Sequence, residues 1–145
     1  MIEKSVVLPC DPERAFALFT RRVGEWWPQE RRHTGDPASA MFLEPTGRFY
    51  ERGKDGREVE LGRVRVWEAP HRLVLDWYPG TDAEHPTEVE VLFAPEPAGT
   101  RVLVQHRPTK ASEALFSSRA PRYQSSWDLV LAALARAGAG PLAMR

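Results

Sequence analysis

The sequence predicts an α+β fold: a curved antiparallel sheet of about seven strands wrapped on a long C-terminal helix, with short helices near the N-terminus. Three observations carry this expectation. Short segments of period-two alternation, separated by turn residues, fill positions 40 to 107. The chain then closes on its strongest helical stripe, Tyr123, Trp127, Val130, Leu131 and Leu134, at helical spacing. Near the start, a capped amphipathic helix follows directly on a first strand. Helices at both ends with strands between them read as α+β, not as alternating βαβ units.

Each element has its own signal. Residues 2–8 carry Val6, Val7 and Leu8 and stop at Pro9, which cannot donate to a ladder, so they form a strand. Asp11 is a good N-cap, Pro12 suits the first helical position and Glu13 complements the dipole. Ala15, Phe16, Leu18 and Phe19 give that helix an apolar stripe that continues loosely to Val23. Gly24 permits a break, and residues 25–28 make a short second turn that Pro28 ends.

Residues 41–44 and 48–52 are short strands joined at Pro45-Thr46-Gly47, and the turn at 53–56 leads to a strand over 58–67. Its alternation changes parity at Gly62, which predicts a bulge or bend there. Strands follow at 72–78, 88–93 and 101–107, with a Pro-, Gly- and acid-rich loop at 79–87. On the last strand Val102, Val104 and His106 share one face. A polar connection then reaches a helix over 121–137, started by Pro121 and ended by Gly138, with a Gly-Ala-Gly-Pro tail. Short connections make neighbouring strands antiparallel.

Composition narrows the partners. At 145 residues the chain is expected to be one domain, 1–145, with a core large enough to need no disulfide or structural metal. Twenty Lys plus Arg balance twenty Asp plus Glu, so no long-range field draws in nucleic acid or an anionic membrane. Arg31, Arg32 and His33, between a proline and a glycine, read as a solvated loop. Cys10 stands alone, which excludes an intrachain disulfide and a paired-cysteine zinc site and fits a reducing interior. The start lacks the pattern of a signal peptide, and no segment reaches the ~18 apolar residues of a membrane span. A cytoplasmic location without membrane insertion is therefore expected.

Catalytic motifs are missing as well. The histidines at 33, 71, 85 and 106 have no metal-ligand spacing, the serines form no nucleophile elbow, and the glycines form neither a dinucleotide fingerprint nor a phosphate loop. No metal, no cofactor and no catalytic residue is expected. Cys10 precedes a helix N-terminus, where a thiolate is favoured, but has no base beside it in sequence.

The strings Gly47-Arg48-Phe49-Tyr50-Glu51-Arg52-Gly53, Gly62-Arg63-Val64, Trp67-Glu68-Ala69-Pro70 and Arg72-Leu73-Val74-Leu75-Asp76-Trp77, in this element order, resemble the START-related (SRPBCC) superfamily of helix-grip proteins. More narrowly, the chain resembles the Hsp90 ATPase activator homologue (AHSA1-like) branch, over nearly its whole length. The resemblance implies a seven-stranded sheet gripping the C-terminal helix, a cavity between them, and short N-terminal helices at the cavity mouth. It is to one domain of the eukaryotic activators, without their additional N-terminal domain.

Alternation places the candidate site on the concave face. Trp77, Val91, Phe93, Val104 and His106 would face the helix that carries Tyr123, Trp127 and Leu131, and the N-terminal segment that the resemblance puts at the mouth carries Trp26 and Trp27. The functional reading is a pocket for a small, mainly hydrophobic molecule, with the N-terminal helices and the 79–87 loop as a lid. The plain alternative is that these side chains fill the core. Asp76 points away from Trp77 and is expected to form a surface ion pair with an arginine such as Arg65. Two other function classes stay open: an Hsp90 co-chaperone-like interaction protein, and a cyclase-like or hydrolase-like enzyme using His106, Tyr123 or Asp76. A chaperone or homodimer contact is the protein partner consistent with these readings.

Overall fold

The computed structural model describes residues 1–140. Seven strands and two helices follow in the order β1 (Ile2–Leu8), α1 (Pro12–Phe19), β2 (Ala40–Leu43), β3 (Arg48–Arg52), β4 (Glu58–Glu68), β5 (Arg72–Trp77), β6 (Thr87–Glu96), β7 (Gly99–Arg107) and α2 (Glu113–Ala139). Two short 3-10 turns, Val23–Glu25 and Gln29–Arg31, lie between α1 and β2. The strands form one antiparallel sheet in the order β1-β7-β6-β5-β4-β3-β2. Six of them are a meander, and β1 closes the sheet by pairing with β7.

The sheet's two faces follow the alternation in the sequence. Leu75, Val89, His106 and Ile2 lie in one cross-strand row, and Leu73, Val91 and Val104 in another, all buried. The opposite face carries ion pairs, among them Arg72 to Glu90 at 2.6 Å and Arg107 to Glu88 at 2.6 Å. Arg65 meets Asp76 there at 3.2 Å, as the alternation predicts. Opposite charges on neighbouring strands thus stand side by side on the solvent face.

Where α1 begins and ends is set locally. The Asp11 carboxylate accepts the Arg14 amide at 2.9 Å and Pro12 takes the first turn. The helix stops at Phe19, short of Val23, because Thr20 closes it: its amide and its hydroxyl both donate to the Phe16 carbonyl, the hydroxyl at 2.6 Å. β4 slips register twice, against β5 at Arg65 and against β3 one residue ahead of the expected position. Tyr50 faces Glu60 and Phe49 faces Gly62, leaving Leu61 as the extra residue. Leu61, Gly62 and Val64 are all buried across the slip, which is how the apolar parity changes.

The C-terminal helix departs most from expectation. It begins at Glu113, so Pro121 lies inside it, exposed. Lacking an N–H, Pro121 leaves the carbonyl of exposed Ser117 without its ladder donor, where water can serve. The first turns are held instead by buried Phe116, whose ring lies 5.6 Å from His106 and 5.7 Å from Tyr123. Nor does Gly138 end the helix. A Cβ there would come within 2.8 Å of Leu8, so the glycine lets β1 lie close against α2. The tail beyond Gly140 falls outside the described residues. Among the described residues, no helix is long and apolar enough to cross a membrane.

Candidate functional site

At one end of the grip, between β5, α2 and the N-terminal 3-10 segment, lies a cavity of about 330 Å³. Its wall is built from indoles. Trp77 at the end of β5 stands between Trp127 of α2, 5.2 Å away, and Trp27, 6.1 Å away. Tyr123 and Val130 of α2 continue the wall on either side of Trp127. These positions fall on one helical stripe, so a single face of α2 supplies both core and cavity.

Behind the wall sits His106, fully buried. An indole N–H can only donate, so Trp127 Nε1 gives its hydrogen to His106 Nδ1 at 3.0 Å, and the imidazole proton must be on Nε2. His106 Nε2 then donates to Thr87 Oγ1 at 2.7 Å, and Thr87 donates to the Trp77 carbonyl at 3.2 Å. The chain of bonds ties α2 to β7, β6 and β5 through one neutral ring. Burial lowers the pKa of His106 to about 3, so the ring stays neutral across the physiological range.

The remaining walls come from two segments that cover the cavity. In the first, Arg32 donates to the carbonyls of Gly24 at 3.0 Å, Trp27 at 3.1 Å and Ser39 at 2.9 Å, clamping the turn that carries Trp27. Next to it, the Glu51 carboxylate is fully buried and accepts the His33 amide at 2.7 Å and the Thr34 hydroxyl at 2.6 Å. Burial alone would raise its pKa. The Thr34 hydroxyl, the His33 amide, Ser39 and the Thr34 amide outweigh that and hold it below the usual carboxylate value.

The second segment is the loop after β5. Tyr123 donates its hydroxyl to the Pro79 carbonyl at 3.0 Å and Arg119 donates to the Gly80 carbonyl at 2.8 Å. Gly80 has a φ of +84°, and a Cβ there would lie 2.6 Å from the Tyr123 oxygen. The loop is therefore pinned to α2 at a position only glycine fills without strain.

The ten residues singled out in the sequence divide into two sets. Trp27, Trp77, Tyr123 and Trp127 line the cavity. Trp26, Val91, Phe93, Val104, His106 and Leu131 lie in the packed core and do not reach it. Trp26, for example, turns inward and donates its indole N–H to the Leu18 carbonyl at 2.7 Å. Asp76 lies on the outer face, away from both His106 and Tyr123.

The segment read as a solvated loop is largely not one. Arg31 and Arg32 are half-buried and both line the cavity, while His33 is exposed at its edge. Arg119, Arg122 and Ser126 of α2 also line it. A helical stripe continued past Pro121 would have brought Arg119 onto the same face as Tyr123 and Trp127. Cys10 is buried, and burial pushes its thiol pKa up, which removes the thiolate that its place before a helix suggested.

A seven-stranded antiparallel sheet gripping a C-terminal helix, with a cavity at one end of the grip, defines a START-like helix-grip fold. The family model described as Activator of Hsp90 ATPase homolog 1-like protein matches residues 9–138, and the chain belongs to that family. Among solved structures it is similar to the self-sacrificing resistance protein CalC from Micromonospora echinospora, at 25% identity and a TM-score of 0.69 over 94% of this chain and 92% of that one. An AHSA1-like protein from Aeromonas hydrophila is 22% identical, with a TM-score of 0.62 over 93% and 89% of the two chains. A protein from Rhodobacter sphaeroides is 22% identical, with a TM-score of 0.65 over 92% and 88%. The last two are likenesses of fold. No curated protein matches the chain.

Proposed function

We propose that this chain binds a small, mainly apolar, flat molecule in the cavity between sheet and α2. One observation carries the reading: three indoles, Trp27, Trp77 and Trp127, stand side by side around about 330 Å³. That volume is at the lower end of small-molecule sites, ~300–1,000 Å³. Aromatic walls favour planar ligands, which stack and bury apolar area at ~25 cal/mol per Å².

In this reading Trp27, Trp77, Tyr123 and Trp127 touch the ligand. Trp26, Val91, Phe93, Val104, His106 and Leu131 form the layer behind them. The Trp127 N–H and the Tyr123 hydroxyl are engaged with His106 and Pro79, so they hold the wall in place. An enzyme reading has less support, because His106 is sealed and neutral while Asp76 is on the far face. A co-chaperone role on Hsp90 rests on the family's description alone.

The test is a thermal-shift screen of small aromatic and aliphatic compounds, with native mass spectrometry of the purified protein. A ligand at about a hundred times its Kd adds roughly 2.7 kcal/mol to stability, a rise of several degrees in Tm. If no compound raises the Tm and only the empty mass is seen, the proposal fails.

A further inference from the structure

The mouth of the cavity differs from its wall. Arg31, Arg32, Arg119 and Arg122 stand around it, with Glu30 as the one carboxylate in its lining. That is a local excess of positive charge in a chain whose formal net charge is zero. On the strands, by contrast, Arg48, Arg52, Arg65, Arg72, Arg101 and Arg107 each meet a carboxylate. Among the described residues, no carboxylate lies within ion-pair distance of Arg31, Arg119 or Arg122.

Arg32 is taken up by the backbone carbonyls that it clamps. The other three are available. Arg31 uses Nε on the Ser126 hydroxyl at 2.9 Å and Nη1 on the Glu30 carbonyl at 3.1 Å, which fixes the guanidinium and leaves its other N–H groups. Arg119 is likewise held by the Gly80 carbonyl at 2.8 Å and the Ser118 hydroxyl at 2.9 Å. Arg122 is exposed, one turn along α2 from both Arg119 and Ser126. Two of the three cations are thus held in place before any ligand arrives, which lowers the entropy lost on binding an anion.

Along α2 the lining is graded, from Arg119 and Arg122 through Tyr123, Ser126 and Trp127 to Val130. We infer that the ligand is amphiphilic: a flat apolar body against the three indoles, carrying an anionic oxygen group such as a carboxylate that Arg31, Arg119 and Arg122 receive at the mouth. This inference rests on the apolar-cavity reading and adds the ligand's charge and its orientation. Guanidinium groups suit it because they bind carboxylates through paired N–H donors.

The experiment compares two probes of nearly equal shape, 1-naphthaleneacetic acid and its uncharged amide, by isothermal titration calorimetry at neutral pH. The acid is expected to bind about tenfold or more tightly than the amide. Raising salt from about 0.05 to about 0.5 M should weaken the acid and leave the amide unchanged. Arg122→Gln and Arg31→Gln should each bring the ratio down toward one. Unchanged Tm and near-UV circular dichroism in those variants report that the fold is intact, and Val130→Trp, which fills the cavity, should abolish binding of both probes. Equal affinity for acid and amide would overturn this inference and leave the apolar site standing. So would an acid preference that survives both arginine substitutions. If neither probe binds, this inference falls, and the apolar-cavity reading falls with it when the thermal-shift screen is blank as well.

Discussion

Acidification below neutral pH should weaken the fold through His106, and the size of the effect follows from its surroundings. In the unfolded chain the imidazole titrates near 6.5, and in the folded protein burial lowers this to about 3. The folded value is depressed, so the unfolded chain takes up the proton first. His106 therefore costs no stability above about pH 6.5, and stability falls as pH drops from there toward 3. The gap, 6.5 less about 3, at about 1.36 kcal/mol for each tenfold change, amounts to about 5 kcal/mol across the whole window. By about pH 5 roughly 2 kcal/mol is already lost, a large share of a typical domain's ~5–15 kcal/mol. The assay is urea unfolding of the wild type and His106→Gln at several pH values between about 7 and 5. At neutral pH the variant should be the less stable, by about 1–3 kcal/mol, since Trp127 and Thr87 lose their shared partner. The difference should then shrink by about 2 kcal/mol on going to pH 5, because only the wild type carries this proton-linked cost. A difference that stays constant over that range would refute the assignment of His106 as a buried neutral ring.

Three further outcomes are expected. Glu51→Gln should lower stability by about 2–4 kcal/mol, since one amide oxygen replaces a carboxylate that accepts two backbone amides and a hydroxyl. Because the folded pKa of Glu51 is depressed, its contribution is present above the ordinary carboxylate value and fades as pH falls through the folded one; pH-dependent unfolding of wild type and variant reads this. Gly80→Ala puts a methyl group 2.6 Å from the Tyr123 oxygen at a positive φ, and should lower the Tm by an amount equivalent to about 1–3 kcal/mol; an unchanged Tm would show that the loop is not pinned as described. Cys10 should react with iodoacetamide at least about tenfold more slowly in the native protein than in urea, and equal rates would contradict its burial.

The charges and alternation legible along the chain are those whose meaning is local. Asp11 and Pro12 predict the start of α1 because a cap acts on the next three residues, and the side chain of Asp11 does bond to Arg14. That Asp76 lies on the outer face, where an arginine such as Arg65 can meet it, is predictable because alternation decides which face of a strand a side chain takes. Alternation also puts His106 on the buried face, but says nothing of its partners, which come from β6 and α2.

The order of the elements, the antiparallel sheet with one apolar face and the charge on the other are legible along the chain, because those depend on periodicity and near neighbours. Packing across the fold decided that α2 runs through Pro121, since the compensation comes from Phe116 against His106. It also decided that Gly138 stays helical, because Leu8 needs the space. The cavity belongs to this second group. A side chain's face is written in its neighbours, but its depth along the groove depends on which distant segment covers it. Arg31 therefore reads as solvent-exposed in sequence and stands at the cavity mouth in the fold, beside Ser126 of a helix distant in the chain.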